Sequence, residues 1–318
     1  MALALAGFAA LLWAWNTPAL VRTPPREPVL LAHGGLGQDY SRADLRGDTC
    51  TASRMLPPEH AWLDNTLPSF RAAFDFGADV VELDVHPTTD GEFAVFHDWT
   101  IDCRTEGSGV TRERSMAELR TLDVGYGYTA DGGHTFPFRG RGVGMMPSLT
   151  DVLESFPDRA FLVNVKSDDP AEGAALAARL AELPVARQRQ LMAYGGSRPI
   201  QVMRARVPAV RAMSRPLLKS CILRYAAVGW TGYVPGACRN TVLVVPANVA
   251  RWLWGWPDRF LARMESAGSP VFLVNDYDGG ASEGIDTLED LLEKVPEGYT
   301  GGIWTDRIDR IGPSVRVR

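Results

Sequence analysis

VVELDVHPTTDGEFAVFHD, residues 80–98, decides the reading of this chain. It opens with a β-branched apolar run of the kind that forms a strand packed on both faces. Glu82 and Asp84 stand two apart in that run, and strand side chains alternate, so both carboxylates project to one side. Two acids held together on an apolar strand repel each other and are costly to desolvate. A divalent cation between them relieves both, because hard cations take oxygen ligands. Asp90-Gly91 then marks a tight hairpin, and a second short strand, FAVF, delivers His97 and Asp98 beside the acids. The pattern is that of a metal site with an acid–base group returned next to it.

Working outward, VLLAHGG before it is a short buried strand that ends in His33 at a glycine turn. A helix over TLPSFRAAFDFGA follows, capped by Thr66 and stopped by Gly77. Strand, helix, strand make one βαβ unit. Residues 36–62 between them are polar and irregular, too long for an ordinary connection, and read as a functional loop. Past the hairpin, residues 86–148 carry many glycines and little helical pattern. They are expected to form an inserted subdomain over the second strand's C-terminal end. AFLVNVK is the third strand, and Asn164 and Lys166 share one of its faces. Lys166 is one of only three lysines against thirty arginines.

Strands then alternate with helices through TVLVVP, PVFLVND and GGIWTD, to a total of eight βα units over residues 29–312. The expected fold is α/β, a (β/α)8 TIM barrel whose chemistry hangs from the C-terminal ends of several strands. Residues 224–239, RYAAVGWTGYVPGACR, read as an aromatic loop on that same face, placed to cover an organic substrate. The 318 residues suit one such barrel. A net charge of −5, with no basic stripe standing out, argues against a nucleic-acid partner.

Residues 1–22 differ from the rest. Ala2–Trp15 is an unbroken apolar run with no basic residue before it. An uncleaved membrane anchor is the first reading, a cleaved signal peptide the second and a buried helix the third. Arginines after the run, at 22 and 26, would by the positive-inside rule hold the chain in the cytoplasm. The four cysteines argue the other way. They lack zinc-site spacing, and two disulfides, Cys50–Cys103 and Cys221–Cys238, suit an exported protein; four buried free thiols are the alternative.

Taken in order, HGG at 33–35, DNT at 64–66, ELD at 82–84, HD at 97–98, NVK at 164–166 and TD at 305–306 resemble the glycerophosphodiester phosphodiesterase family. The similarity is greatest to bacterial exported, membrane-tethered members. The resemblance implies a TIM barrel with an insertion after its second strand. It also implies a hydrolase of lipid metabolism that splits glycerophosphodiesters into glycerol 3-phosphate and an alcohol with a divalent metal, Mg²⁺ or Ca²⁺. On that basis Glu82, Asp84 and Asn164 would hold the metal, His33 and His97 would be general acid and base, and Lys166 would grip a phosphoryl oxygen. The partners would be a glycerophosphodiester or lysophospholipid substrate and, through the N-terminal segment, the periplasmic side of the inner membrane.

Three positions depart from the family pattern. Gly34 stands where it has arginine, Asn164 where it has glutamate and Asp64 where it has glutamate. The first removes a bidentate phosphate contact, so Gly34→Arg is expected to raise kcat/KM unless Arg42, Arg46 or Arg54 already reaches the phosphate. The second leaves the metal one negative charge short. The alternatives are therefore a phospholipase D-like activity on lysophospholipids or sphingomyelin, and a catalytically impaired barrel that only binds phosphodiesters.

Overall fold

The computed structural model describes residues 7, 10, 12–17, 20, 21, 26–45, 49–279 and 283–316. Eight parallel strands form its centre: β1 (Val29–Ala32), β2 (Val80–Pro87), β4 (Ala160–Val165), β5 (Leu191–Gly195), β6 (Arg211–Ser214), β7 (Leu243–Pro246), β8 (Val271–Val274) and β9 (Gly302–Thr305). β3 (Phe93–Val95) is the hairpin strand, antiparallel to β2. The ladder runs β6-β5-β4-β2-β1-β9-β8-β7, so the barrel is closed at β1–β9 and nearly closed overall, with a seam between β6 and β7. The (β/α)8 expectation therefore holds.

Helices between strands cover the outside: α1 (Leu67–Asp75), α2 (Leu149–Ser155), α3 (Pro170–Ala181), α4 (Ser197–Arg206), α5 (Arg215–Val228), α6 (Asp258–Ser266), α7 (Leu288–Lys294) and α8 (Ile308–Arg316). Their starts follow the local chemistry. Thr66 accepts from the Ser69 amide at α1, and Ser148 and Asp151 make a reciprocal capping box at α2.

Two apolar layers fix the geometry. One lies between sheet and helices, with Leu30, Leu83, Val163 and Ile303 from the strands meeting Phe70, Leu153, Leu176 and Ile311 from the helices. The other fills the barrel with Leu31, Val80, Leu162, Met192, Phe272 and Trp304. Strand alternation carries the consequence upward. The residues two and four beyond that inner layer are His33, Glu82, Asp84, Asn164, Tyr194 and Asp306, so an apolar floor turns polar at the C-terminal end of the strands.

The chain between β2 and α2 builds a separate small core over that end. Phe96, Ile101, Leu119 and Phe138 pack with Ala52, Met55 and Leu63 of the β1–α1 connection. The Cys50–Cys103 disulfide ties the two segments together.

Residues 224–239 are not the substrate-covering loop the sequence suggests. Residues 224–228 belong to α5, and the rest form two single 3-10 turns before β7. Cys221 and Cys238 are bonded, which fastens those turns to α5. Most of residues 1–22 lie outside the described residues; 12–16 are helical. No helix among the described residues is long and apolar enough to cross a membrane.

Candidate active site

The two histidines are held alike. His33 follows β1, and its Nδ1 lies 2.6 Å from Asp306 Oδ1, at the end of β9. His97 follows β3, and its Nδ1 lies 2.7 Å from Asp98 Oδ1. An ionised aspartate can only accept, so each Nδ1 carries hydrogen and each Nε2 is left for chemistry. Both imidazoles line one cleft together with Asp84, Arg42 and Arg104.

The electrostatics set the proton affinity of His33. Burial pulls the His33 pKa down, but Glu82, its Oε2 3.8 Å from Nε2, and Asp306 outweigh it and push it up to about 10. Asp306 is held well below the carboxylate range: burial opposes this, and His33 and Arg42 overcome it. Arg42 bridges Asp306 at 2.8 Å and Asp286 at 3.2 Å. Asp286 is pushed up to about 7 by burial and by Asp306.

Glu82 is fully buried and accepts from the Gly34 amide at 3.0 Å and the Tyr194 hydroxyl at 2.7 Å. Burial, then Asp84, push its pKa up to about 7. Asp84 goes the other way. Burial favours the acid, yet Lys166, with Nζ 3.3 Å from Oδ1, and the histidines hold it ionised. Asn65 grips it with both ends of its amide, donating to Oδ2 at 3.1 Å and accepting from the Asp84 amide at 3.0 Å.

Two sequence expectations change here. Asn164 lies beside Asp84 as foreseen, but it presents its Nδ2 to Oδ1 at 2.8 Å rather than an oxygen to a cation. With Lys166 on the same oxygen, the acid is already neutralised, and the amide donor satisfies it. Among the described residues, no three His, Cys, Asp or Glu side chains gather to hold a metal ion.

Gly34 is the second. Its φ of +62° is left-handed, and a Cβ there would lie 3.3 Å from the Cβ of Asp64. A side chain at 34 therefore meets backbone strain as well as crowding. Of the three arginines that might stand in, Arg42 reaches the cleft, and Arg54 instead donates to the Ala43 carbonyl. Arg46 lies outside the described residues.

Tyr194, Asn65 and Asp286 carry no role in the reading of the sequence. Tyr194 shares the inward parity of Met192, which could have found it; Asp286 lies in a connection with no period to read. Arg104 was missed altogether. Buried in the cleft wall, it binds Asp64 at 2.6 Å, Asp98 at 3.1 Å and Thr51 at 2.9 Å, and it also donates to the Tyr128 hydroxyl. It thereby holds the His97 partner in place.

Glu82, Asp84, His97, Asn164 and Lys166 fall within one recognisable segment. Residues 47–194 match the model of the glycerophosphoryl diester phosphodiesterase family. His33 and Asp306 lie outside it. A glycerophosphodiester phosphodiesterase of Caldanaerobacter subterraneus is 36% identical over 103 residues, 32% of this chain and 39% of that protein. One from Bacillus subtilis is 32% identical over 140 residues, 41% and 46% of the two chains. The chain thus matches less than half the length of these relatives.

Solved structures extend the likeness to the whole barrel. A glycerophosphodiester phosphodiesterase from Agrobacterium tumefaciens superposes with a TM-score of 0.58 at 22% identity, covering 90% of this chain and 99% of that one. A phosphodiesterase from Oleispira antarctica, solved with sn-glycerol-3-phosphate, gives 0.54 at 17% identity, covering 92% and 98%. At such identities they share the fold.

Proposed function

We propose that the chain is a metal-dependent glycerophosphodiester phosphodiesterase releasing glycerol 3-phosphate. The observation that carries this is the pair of aspartate-backed imidazoles opening on one cleft above a buried acid pair. His33 keeps its proton at neutral pH and serves as general acid toward the leaving oxygen. His97 serves as base toward the attacking hydroxyl. By the family's pattern that hydroxyl is the substrate's own glycerol 2-hydroxyl, and water then opens the cyclic phosphate. His97 takes one proton from the nucleophile and His33 gives one to the departing alkoxide, so the step is balanced. Lys166 and Arg42 face the phosphoryl charge.

The donor set fits a hard cation such as Mg²⁺ or Ca²⁺. Glu82 and Asp84 offer carboxylate oxygens, and Asn164 offers an amide oxygen once its side-chain amide turns over. Burial first, and Asp84 second, disfavour the ionised form of Glu82, and a cation beside it would favour that form. When bound, such an ion supplies charge neutralisation at the phosphoryl oxygens. The two disulfides fit export to an oxidising compartment, with the N-terminal segment as membrane anchor.

A substrate panel tests the reading. Glycerophosphocholine should release glycerol 3-phosphate with Mg²⁺ or Ca²⁺, and a chelator should stop it. Turnover of lysophosphatidylcholine or sphingomyelin alone would favour a phospholipase D-like enzyme. Binding of glycerophosphocholine with no turnover would leave an impaired barrel.

A further inference from the structure

Charge and aromatic side chains are gathered on one flank of the molecule, away from the cleft. Contrary to the expectation that no basic stripe stands out, the sequence between Glu182 and Asp258 has eleven basic residues and no Asp or Glu, in a chain whose net charge is −5. α5 lies inside this stretch and carries Arg215, Lys219 and Arg224. Its outward side is apolar as well as basic, with Leu223 60% exposed.

Five of the nine tryptophans come to the surface around it: Trp13, Trp15, Trp230, Trp252 and Trp254. Trp13 is 64% exposed and Trp252 74%. Hydrogen bonds join their segments into one surface. The Trp254 indole donates to the Ala226 carbonyl at 2.8 Å, and the Trp15 indole to the Thr231 carbonyl at 3.0 Å. Arg263 of α6 donates to the Tyr225 hydroxyl, the Gly229 carbonyl and Asn16 Oδ1 through Nη1, and to the Trp15 carbonyl through Nη2. So the end of the apolar N-terminal run is fastened to the C-terminal end of α5.

We infer that this flank seats on an anionic lipid bilayer. Soluble monomers rarely leave a contiguous apolar patch of this kind uncovered. Trp15 and Trp254, each with its indole N–H bonded and its ring partly exposed, suit the boundary between headgroups and acyl chains. Lys219, Arg224 and Arg251 among them suit acidic headgroups. A nucleic acid would use the positive charge but not exposed leucine and tryptophan. Residues 12–16, the end of the N-terminal run, are fastened to the same flank and enter the same lipid surface. The inference is independent of turnover, because no residue of the flank lines the catalytic cleft.

The test uses the full-length protein and sucrose-loaded vesicles of phosphatidylcholine, with and without one part in three phosphatidylglycerol. The parent should sediment with the anionic vesicles at least about tenfold more tightly than with neutral ones, and brominated lipid should quench its tryptophan fluorescence. Lys219→Glu with Arg224→Glu, and separately Trp252→Ala with Leu223→Ser, should each weaken binding about tenfold or more at an unchanged melting temperature. Equal affinity for neutral vesicles, absence of quenching, or binding to duplex DNA in place of vesicles would overturn the inference. So would folded variants that bind like the parent, since the N-terminal run alone would then hold the protein.

Discussion

His33 sits between two carboxylates, with Asp306 at Nδ1 and Glu82 beyond Nε2, and its pKa of about 10 follows from them. A general acid works while protonated, so activity should fall as pH rises through the His33 pKa, which a cation on Glu82 would bring below that value. Asp306→Asn removes one of the two anions that favour the proton. The basic limb of kcat/KM against pH should move down by about one unit or more; an unmoved limb would take His33 out of the acid's role. The same raised value bears on stability. His33 gains over the unfolded chain, where its pKa is about 6.5, so its contribution is full below that pH and lost as pH rises toward 10.

Glu82 makes the opposite point. Because its ionised form is disfavoured in the fold, Glu82→Gln should leave the melting temperature at pH 8 equal or higher, while raising the metal concentration needed for turnover. A variant that melts much lower would mean the charge itself is structural. Arg42→Ala should cut kcat/KM about ten- to a hundredfold, the worth of a hydrogen bond to a charged group. Gly34→Arg should lower activity instead of raising it, since the left-handed backbone and Asp64 crowd the new side chain. A faster Gly34→Arg enzyme would restore the missing-contact argument. The shared side of Glu82 and Asp84 was legible because strand parity places residues two and four beyond an apolar layer together, and the places of His33 and His97 because one ends a strand at a glycine turn and the other follows a hairpin. The orientation of the Asn164 amide was not, because either end of an amide obeys the same parity.

At the scale of elements, every strand of the barrel could be read from its apolar run, and most helices from their caps and period. The segment between β2 and α2 could not, since its short turns have no period and its core is shared with the distant residues 52–63. Arg104 shows the cost: its partners at 51, 64, 98 and 128 come from four turns that only the fold brings together. α5 was missed, and its aromatic end looked like loop. The Cys50–Cys103 crosslink spans 53 residues, and closing a loop of that size restrains the unfolded chain by about 4 kcal/mol. Cys50→Ser with Cys103→Ser should lower the melting temperature and raise proteolysis of residues 99–145 first. It should also loosen His97, seen as a fall in kcat larger than any change in KM.

Across the whole molecule, the barrel interior is apolar up to the layer of Leu31, Val80 and Trp304, and charged groups begin directly above. The chemistry is thereby confined to one rim, where loops of unrelated length from β1, β2 and β9 can meet. The α5 flank is free to make a different contact because no residue of the cleft depends on it.

The seam between β6 and β7 carries a consequence of its own. Two strand edges face each other there without a ladder, and side chains partly occupy one of them, Thr241 and Arg204 both donating to the Ala212 carbonyl. Unladdered edges are templates for pairing with another chain. The nearby Cys221–Cys238 bond limits how far α5 can swing from this line. Amide hydrogens of residues 211–214 and 243–246 should therefore exchange with deuterium sooner than those of β1, β2 and β4. With that crosslink removed by Cys221→Ser and Cys238→Ser, the slow growth of strand-swapped dimers on storage should follow, visible by size-exclusion chromatography.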